Sequence, residues 1–332
     1  MLPFLRDPNR EPPSTQGIRE AFGARSGDAF WLTSGGAEAA GWVAYALYDQ
    51  AMRETGRTHL LVPATERGGI KKALEGMERL GCVCQTVPVD ARGHMTASSL
   101  EESLRPRSIL FSLSWADPLT GVIQPVADLA RVCRERGVYS HVDASMALGK
   151  VFFRFEDLGV DFLSFDGPLV GGPRGSGGLF VRQGLKVRPF FPDPYPPDPA
   201  ALAGLDAAVR GAVEAFDHCG TETARLRDRL ERHLVAGIPN ARVLFGGVDR
   251  LPHCTVVAFP GVAAEALSYR LERRHVHVCP VVCEGEGLLA HSALSLSLAD
   301  ETCEEEVDRA AGCIVEAVRA LKPLSVGLSD AI

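Results

Sequence analysis

Between Ala29 and Val181 short apolar runs alternate with segments of helical spacing. The apolar runs are Ala29–Leu32, His59–Pro63, Cys82–Val87, Ser108–Ser114, Tyr139–Val142, Val160–Phe165 and Gly178–Val181. Between them, Ala37–Arg53, Ile70–Leu80, Thr96–Ser103 and Val126–Arg136 read as helices, with apolar residues three and four apart. Thr96 or Ser98 is expected to cap the third helix. Strand and helix alternating at this spacing predict an α/β fold with a doubly wound, mainly parallel sheet. Sites in such sheets lie beyond the carboxyl ends of the strands. Thr33–Gly36, Trp115–Thr120, Asp143 and Phe165–Gly172 occupy those positions.

The pattern changes at Arg188–Ala200, where closely spaced prolines forbid a regular helix. Beyond it, Leu202–Leu234 reads as a long helical region. Ala241–Leu244, Thr255–Phe259, Val276–Val278 and Ser292–Leu298 read as strands, and Ala264–Arg273 and Glu301–Leu321 as helices. The expected organisation is a short N-terminal arm (1–27), a large α/β domain (28–187), a linker with the helical region (188–235) and a small C-terminal α+β domain (236–332).

A formal net charge of −7 with interspersed signs argues against nucleic acid as the main partner. No apolar run is long enough to cross a membrane. The first residues, MLPFLRDPNREPPS, lack the order of a signal peptide, so a cytoplasmic protein is expected. The nine cysteines, at 82, 84, 133, 219, 254, 279, 283, 303 and 313, are odd in number and scattered, which speaks against a disulfide framework. Lysine occurs only at 71, 72, 150, 186 and 322.

Residues Leu104–Arg182 contain TG-x-IQP, C-R-E-R-G-V, H-x-DA-x-x-A-x-GK and LGVD…GGP-x-G in that order. With FPGVAAEAL and ETCEEEVDRAAGCIVEAVRAL further on, this series resembles class V aminotransferases, and in particular NifS-type cysteine desulfurases. The resemblance implies a PLP-dependent transferase type I fold, usually dimeric, with a large parallel-sheet domain and a smaller C-terminal domain. It also implies a lysine Schiff base with PLP, an aspartate against the pyridine nitrogen, phosphate-binding loops and a mobile nucleophilic cysteine.

Residue by residue, Asp143 matches the pyridine-nitrogen aspartate. The family lysine, in S-x-H-K-x-x-GP, falls at Leu169, and its histidine at Pro168. Lys150 belongs to the family's GK and reads as structural, and Lys186 as solvent-facing. The phosphate loop T-S-G-A-T-E is T-S-G-G-A-E here, with Ala37 in place of a hydroxyl. The ring-stacking histidine becomes Arg67, N-N-E-T-G becomes Asp117–Gly121, and the glutamine beside the phenolic oxygen becomes Met146. The Arg-Gly-Thr segment maps near Asp198–Ala200, and the substrate-carboxylate arginine onto Ser295. The family's nucleophilic-cysteine loop corresponds to Val278–Gly285, which makes Cys283 the candidate thiol and Cys279 a candidate resolving thiol. Glu284 and Glu286 nearby discourage the thiolate. Cys82 with Cys84, and His275 with His277, each share a strand face, but neither pair has enough ligands for a metal. The family's N-terminal strand and D-N-A-A-T-T loop have no counterpart ahead of Met1–Leu5.

With these groups lost together, the expectation is a noncatalytic desulfurase homologue, a pseudoenzyme holding neither PLP nor metal. It would act as an interaction or regulatory protein, as a homodimer or paired with a related chain. The enzymatic alternatives are a divergent PLP-dependent desulfurase or aminotransferase-like enzyme, and a persulfide carrier using Cys283 with a sulfur-transfer partner. A small-molecule sensor using the vacated pocket, with Arg67 as an anion contact, is a further alternative.

Overall fold

The computed structural model describes residues 1, 3–4, 13–185, 187, 198–282 and 291–325. They fall into two compact units, Met1–Asp117 with Ile123–Phe216, and Pro118–Val122 with Asp217–Ile332.

The first unit is built on a seven-stranded sheet. Its strands are β1 (Ala29–Thr33), β2 (His59–Pro63), β3 (Val83–Val87), β4 (Ser108–Ser114), β5 (Tyr139–Asp143), β6 (Phe162–Asp166) and β7 (Gly177–Val181). They lie in the order β1-β7-β6-β5-β4-β2-β3. Strands β3, β2, β4, β5 and β6 are mutually parallel, and β7 runs antiparallel to both β6 and β1.

The apolar strands follow from burial on both faces. Leu61, Phe111, Val142, Leu163 and Phe180 point into one core. Their strand neighbours Leu60, Leu110, Phe162 and Leu179 point into another. Adjacent strand residues face opposite sides, so both positions must be apolar when both sides are covered. Helix α1 (Gln16–Ala21), through Ile18, and the helix Val126–Glu135 cover the first face. A helix at Gly36–Leu47 covers the second with Ala39, Ala40, Val43, Ala44 and Leu47. Each fully buried Leu or Phe contributes roughly 1.5–3 kcal/mol.

Helix boundaries depart from expectation where glycine intervenes. The helix expected through Arg53 is regular to Leu47, continues as a wider turn over Tyr48–Met52, and stops at Gly56, whose φ is 66°. That left-handed conformation suits glycine. The segment expected at Ile70–Leu80 is a helix at Gly69–Glu75 followed by a tight turn at Glu78–Leu80. Thr96 is the cap of Ala97–Ser103, its hydroxyl accepting from Ser99 N at 3.1 Å.

The second unit holds an antiparallel four-stranded sheet. Its strands are β8 (Arg242–Leu244), β9 (Cys254–Ala258), β10 (Cys279–Val281) and β11 (Ala293–Ser297), in the order β10-β11-β9-β8. The strand expected at Val276–Val278 lies instead at Cys279–Val281. Helices Phe216–Gly237, Ala264–Glu272 and Glu304–Ser325 supply Leu226, Leu230, Leu267, Leu271, Ile314 and Val318 to the core against β9 and β11. Pro118–Val122 belongs to this unit. There Gly121, at φ 74°, packs so closely on Cys254 that a Cβ would overlap it. The Thr-Gly pair in the sequence thus has a packing reason.

No helix among the described residues is long and apolar enough to cross a membrane.

Candidate active site at the strand ends

The carboxyl ends of the parallel strands gather acidic groups. Asp143 ends β5, Asp166 ends β6, and Glu66 follows β2. Glu66 and Asp143 are buried.

Asp143 is held on both oxygens. Oδ1 accepts from Ser145 N at 2.9 Å and Oδ2 from the Ser164 hydroxyl at 2.6 Å. Ser164 in turn lies 3.0 Å from His141 Nε2, and His141 Nδ1 lies 2.6 Å from the Ser112 hydroxyl. Since Ser164 donates to the carboxylate, it accepts from Nε2–H, and Ser112 donates to Nδ1. Burial pushes the His141 pKa down to about 3, so this neutral tautomer persists. Burial raises the Asp143 pKa, opposed by its hydrogen bonds from Ser145 and Ser164 and reinforced by the nearby Asp166.

Glu66 accepts from both Ser114 N (2.8 Å) and the Ser114 hydroxyl (3.0 Å). Burial lifts its pKa to about 7, against those hydrogen bonds and with a smaller push from Asp143 and Asp117. A carboxyl poised near neutrality is suited to proton transfer.

Asp166 is anchored by its own backbone, whose N–H donates to Ser145 Oγ at 2.8 Å. Its Oδ1 accepts from Gly36 N at 2.5 Å, at the start of the helix Gly36–Leu47. Ser34 N donates to Glu38 Oε2 at 2.6 Å in the same turn. The TSGG glycines therefore each face a carboxylate. A Cβ at Gly35 would overlap Asp166 Oδ1, and one at Gly36 would overlap Asp143 Oδ2.

The structure brings the TSGG turn, Asp143 and the Phe165–Gly172 stretch together. Pro168 and Leu169 lie in the tight turn Gly167–Val170 after β6, and Leu169 is 46% exposed. Ala37 and Arg67 are exposed, Lys150 and Met146 are half-buried, and Asp117 is buried. Asp198 caps the helix Pro199–Glu214 through its side chain, which accepts from Ala200 N. In the second unit Ser295 is buried, and its hydroxyl donates to Leu119 O at 2.5 Å. Cys279 is exposed on β10. Cys283, Glu284, Glu286 and Lys186 lie outside the described residues. Burial raises the pKa of Cys82 and of Cys84, the latter to about 11, which favours the thiol form. His275 and His277 are exposed. Among the described residues no three His, Cys, Asp or Glu side chains are grouped to hold a metal.

Sequence reasoning passed over Glu66, His141 and Asp166. Asp166 was within reach, since it stands at the serine of the S-x-H-K pattern and closes an apolar strand. The unusual environment of Glu66 depends on burial, which its exposed neighbour Arg67 gives no sign of.

The sheet order and the small antiparallel unit define a PLP-dependent transferase type I fold. A solved structure titled NifS-like protein superposes with a TM-score of 0.86 over 96% of this chain and 94% of that one, at 23% identity. Residues 14–192 match the Aminotransferase class-V family, more than half of the chain. The chain belongs to the class-V aminotransferase family. A cysteine desulfurase of Cereibacter sphaeroides is 29% identical across 97% of this chain and 93% of its own length. One from Sinorhizobium fredii is 28% identical across 92% and 84%.

These likenesses correct the expectation of a noncatalytic pseudoenzyme with an interaction or regulatory role. Relatives that align along nearly the whole chain are enzymes, and they favour a catalytic role. The expectation erred by equating loss of one cofactor's contacts with loss of catalysis.

Proposed function

We propose that the protein is a sulfur-handling enzyme, a divergent relative of the cysteine desulfurases that moves sulfur through a cysteine thiol. The observation that carries this reading is the likeness to cysteine desulfurases over both units. Leucine at position 169 selects the route, because it offers no amine for an imine with PLP. In this reading the family's cofactor takes no part, since Leu169 supplies no amine and Ala37 no hydroxyl.

The chemistry left is thiol–persulfide exchange, with Cys283 as the acceptor. A thiolate attacks the outer sulfur of a donor persulfide, R–S–SH. A new S–S bond forms on the protein cysteine, the donor S–S bond breaks, and the donor leaves as R–S⁻. An acceptor thiolate then repeats the attack, taking the sulfur and restoring the cysteine. Cys279, exposed four positions earlier in the chain, is the neighbouring thiol. This reading has the enzyme working with a thiol-bearing partner, as a homodimer or with a related chain.

The test compares sulfur sources. The purified protein is given a small-molecule persulfide, or L-cysteine with and without PLP, and its thiols are mapped by mass spectrometry. Persulfide on Cys283 after the first treatment, lost in Cys283→Ser, is the expected result. No label from the donor would remove the carrier role. PLP-dependent sulfide release from L-cysteine would replace this route with the family's own.

A further inference from the structure

We propose that Asp166 is a built-in anion at the start of the helix Gly36–Leu47, and that it keeps the phosphate of a phosphorylated cofactor out of this pocket. A helix N-terminus attracts anions through its unsatisfied N–H groups and its dipole. In this chain a carboxylate of the protein is already there. Asp166 Oδ1 takes the Gly36 N–H at 2.5 Å, and Glu38 takes the Ser34 N–H at 2.6 Å. Two amides of the TSGG turn therefore already donate to carboxylates.

Space points the same way. Gly35, at φ 154°, leaves no room for a Cβ against Asp166, and Gly36 leaves none against Asp143. A carboxylate oxygen thus lies against the Cβ position of each of the two glycines. Ala37 supplies no hydroxyl to replace a lost contact. Asp166 is also not free to swing away at its backbone, which Ser145 Oγ holds, while Ser145 N holds Asp143. One serine thus holds the backbone of Asp166 and the carboxylate of Asp143. A phosphate entering at this turn would meet the carboxylates of Asp166 and Glu38, of its own sign.

The S-x-H-K pattern of the family resemblance has a serine where this chain has Asp166 and a lysine where it has Leu169. Where the pattern has a neutral hydroxyl, this chain has a carboxylate whose Oδ1 accepts the Gly36 N–H. This inference concerns binding alone: a Cys283 that takes no persulfide leaves it standing, whereas PLP-dependent sulfide release would overturn both.

The experiment measures phosphate and PLP binding to the wild type, Asp166→Asn and Asp166→Ser, by thermal shift and equilibrium dialysis. The wild type is expected to show no saturable response to inorganic phosphate or to PLP. Both variants are expected to melt lower in anion-free buffer and to recover on adding phosphate, with affinity at least roughly tenfold above wild type. Asp166→Asn keeps the side-chain shape, and so separates charge from packing if the serine variant does not fold. Saturable phosphate-competed PLP binding to the wild type overturns the proposal, whatever the variants do. So does a folded variant that gains no phosphate affinity.

Discussion

At the strand ends of the large unit, Asp143 and Glu66 are buried among serine hydroxyls and backbone N–H groups. On the helices of the second unit, Arg225 pairs with Glu222 and Glu304, and Arg229 with Asp308, at 2.6–2.7 Å. The two sets use the same residue types with opposite consequences. In the second, hydrogen bonds to arginine hold Glu222 and Asp308 below the ordinary carboxylate range. These pairs lie in water, where screening and side-chain entropy cancel most of the attraction. In the first set burial dominates, and carboxyl groups move toward neutral pH. Close ion pairs are thus a poor guide to where chemistry resides; buried carboxyls without a cationic partner are a better one.

The strongest way to break this comparison is Ser164→Ala. Its hydroxyl is shared by Asp143 and His141, so removal leaves two buried polar groups unsatisfied. A loss of about 4 kcal/mol is expected from urea unfolding. A change no larger than that of a surface substitution would show that the buried chain does not behave as a network.

Glu66→Gln sharpens the contrast through pH. The folded-state pKa of Glu66 is raised from 4.5 to about 7. Its contribution is therefore fully present below pH 4.5 and lost as pH rises through 7, by about 3 kcal/mol at most. The variant is expected to lack this decline, so it gains on the wild type between acid and pH 8. His141 slopes the other way. Its pKa, lowered from 6.5 to about 3, makes the native state lose stability as pH falls below 6.5. That acid limb is expected to survive in Glu66→Gln. Identical pH profiles for the two proteins would place Glu66 in a far wetter site.

The smallest effect is expected from Asp308→Asn, which removes a carboxylate paired with Arg229 on the open surface. Its melting temperature at physiological salt should match wild type. A clear drop there would mean that the arginine network, rather than the buried cluster, carries the electrostatic stability.

Much of the architecture was legible beforehand. His59–Pro63 and Ser108–Ser114 are strands over the very residues expected, because unbroken apolar runs have one good solution when both sheet faces are covered. The expected helical region Leu202–Leu234 divides into Pro199–Glu214 and Phe216–Gly237, since helical spacing on both sides of a break looks continuous in sequence. At the site, Asp143 and the TSGG turn were marked by their places at strand ends. The roles of Glu66, His141 and Asp166 were not, because each depends on neighbours supplied by other strands.

Hydrophobic period and turn residues set the order of strands and helices, since both are local properties that survive in a linear string, and the ordered motifs within Leu104–Arg182 carried the likeness to the family. That position 169 is a leucine is likewise plain without any coordinates. Only the tertiary structure decided which groups meet at the strand ends. Asp166 reaches Gly36 across 130 residues of chain, and His141 is joined to Asp143 through Ser164 on the neighbouring strand. Those contacts exist because parallel strands bring their carboxyl ends to one edge of the sheet, where groups remote in sequence share a single buried environment.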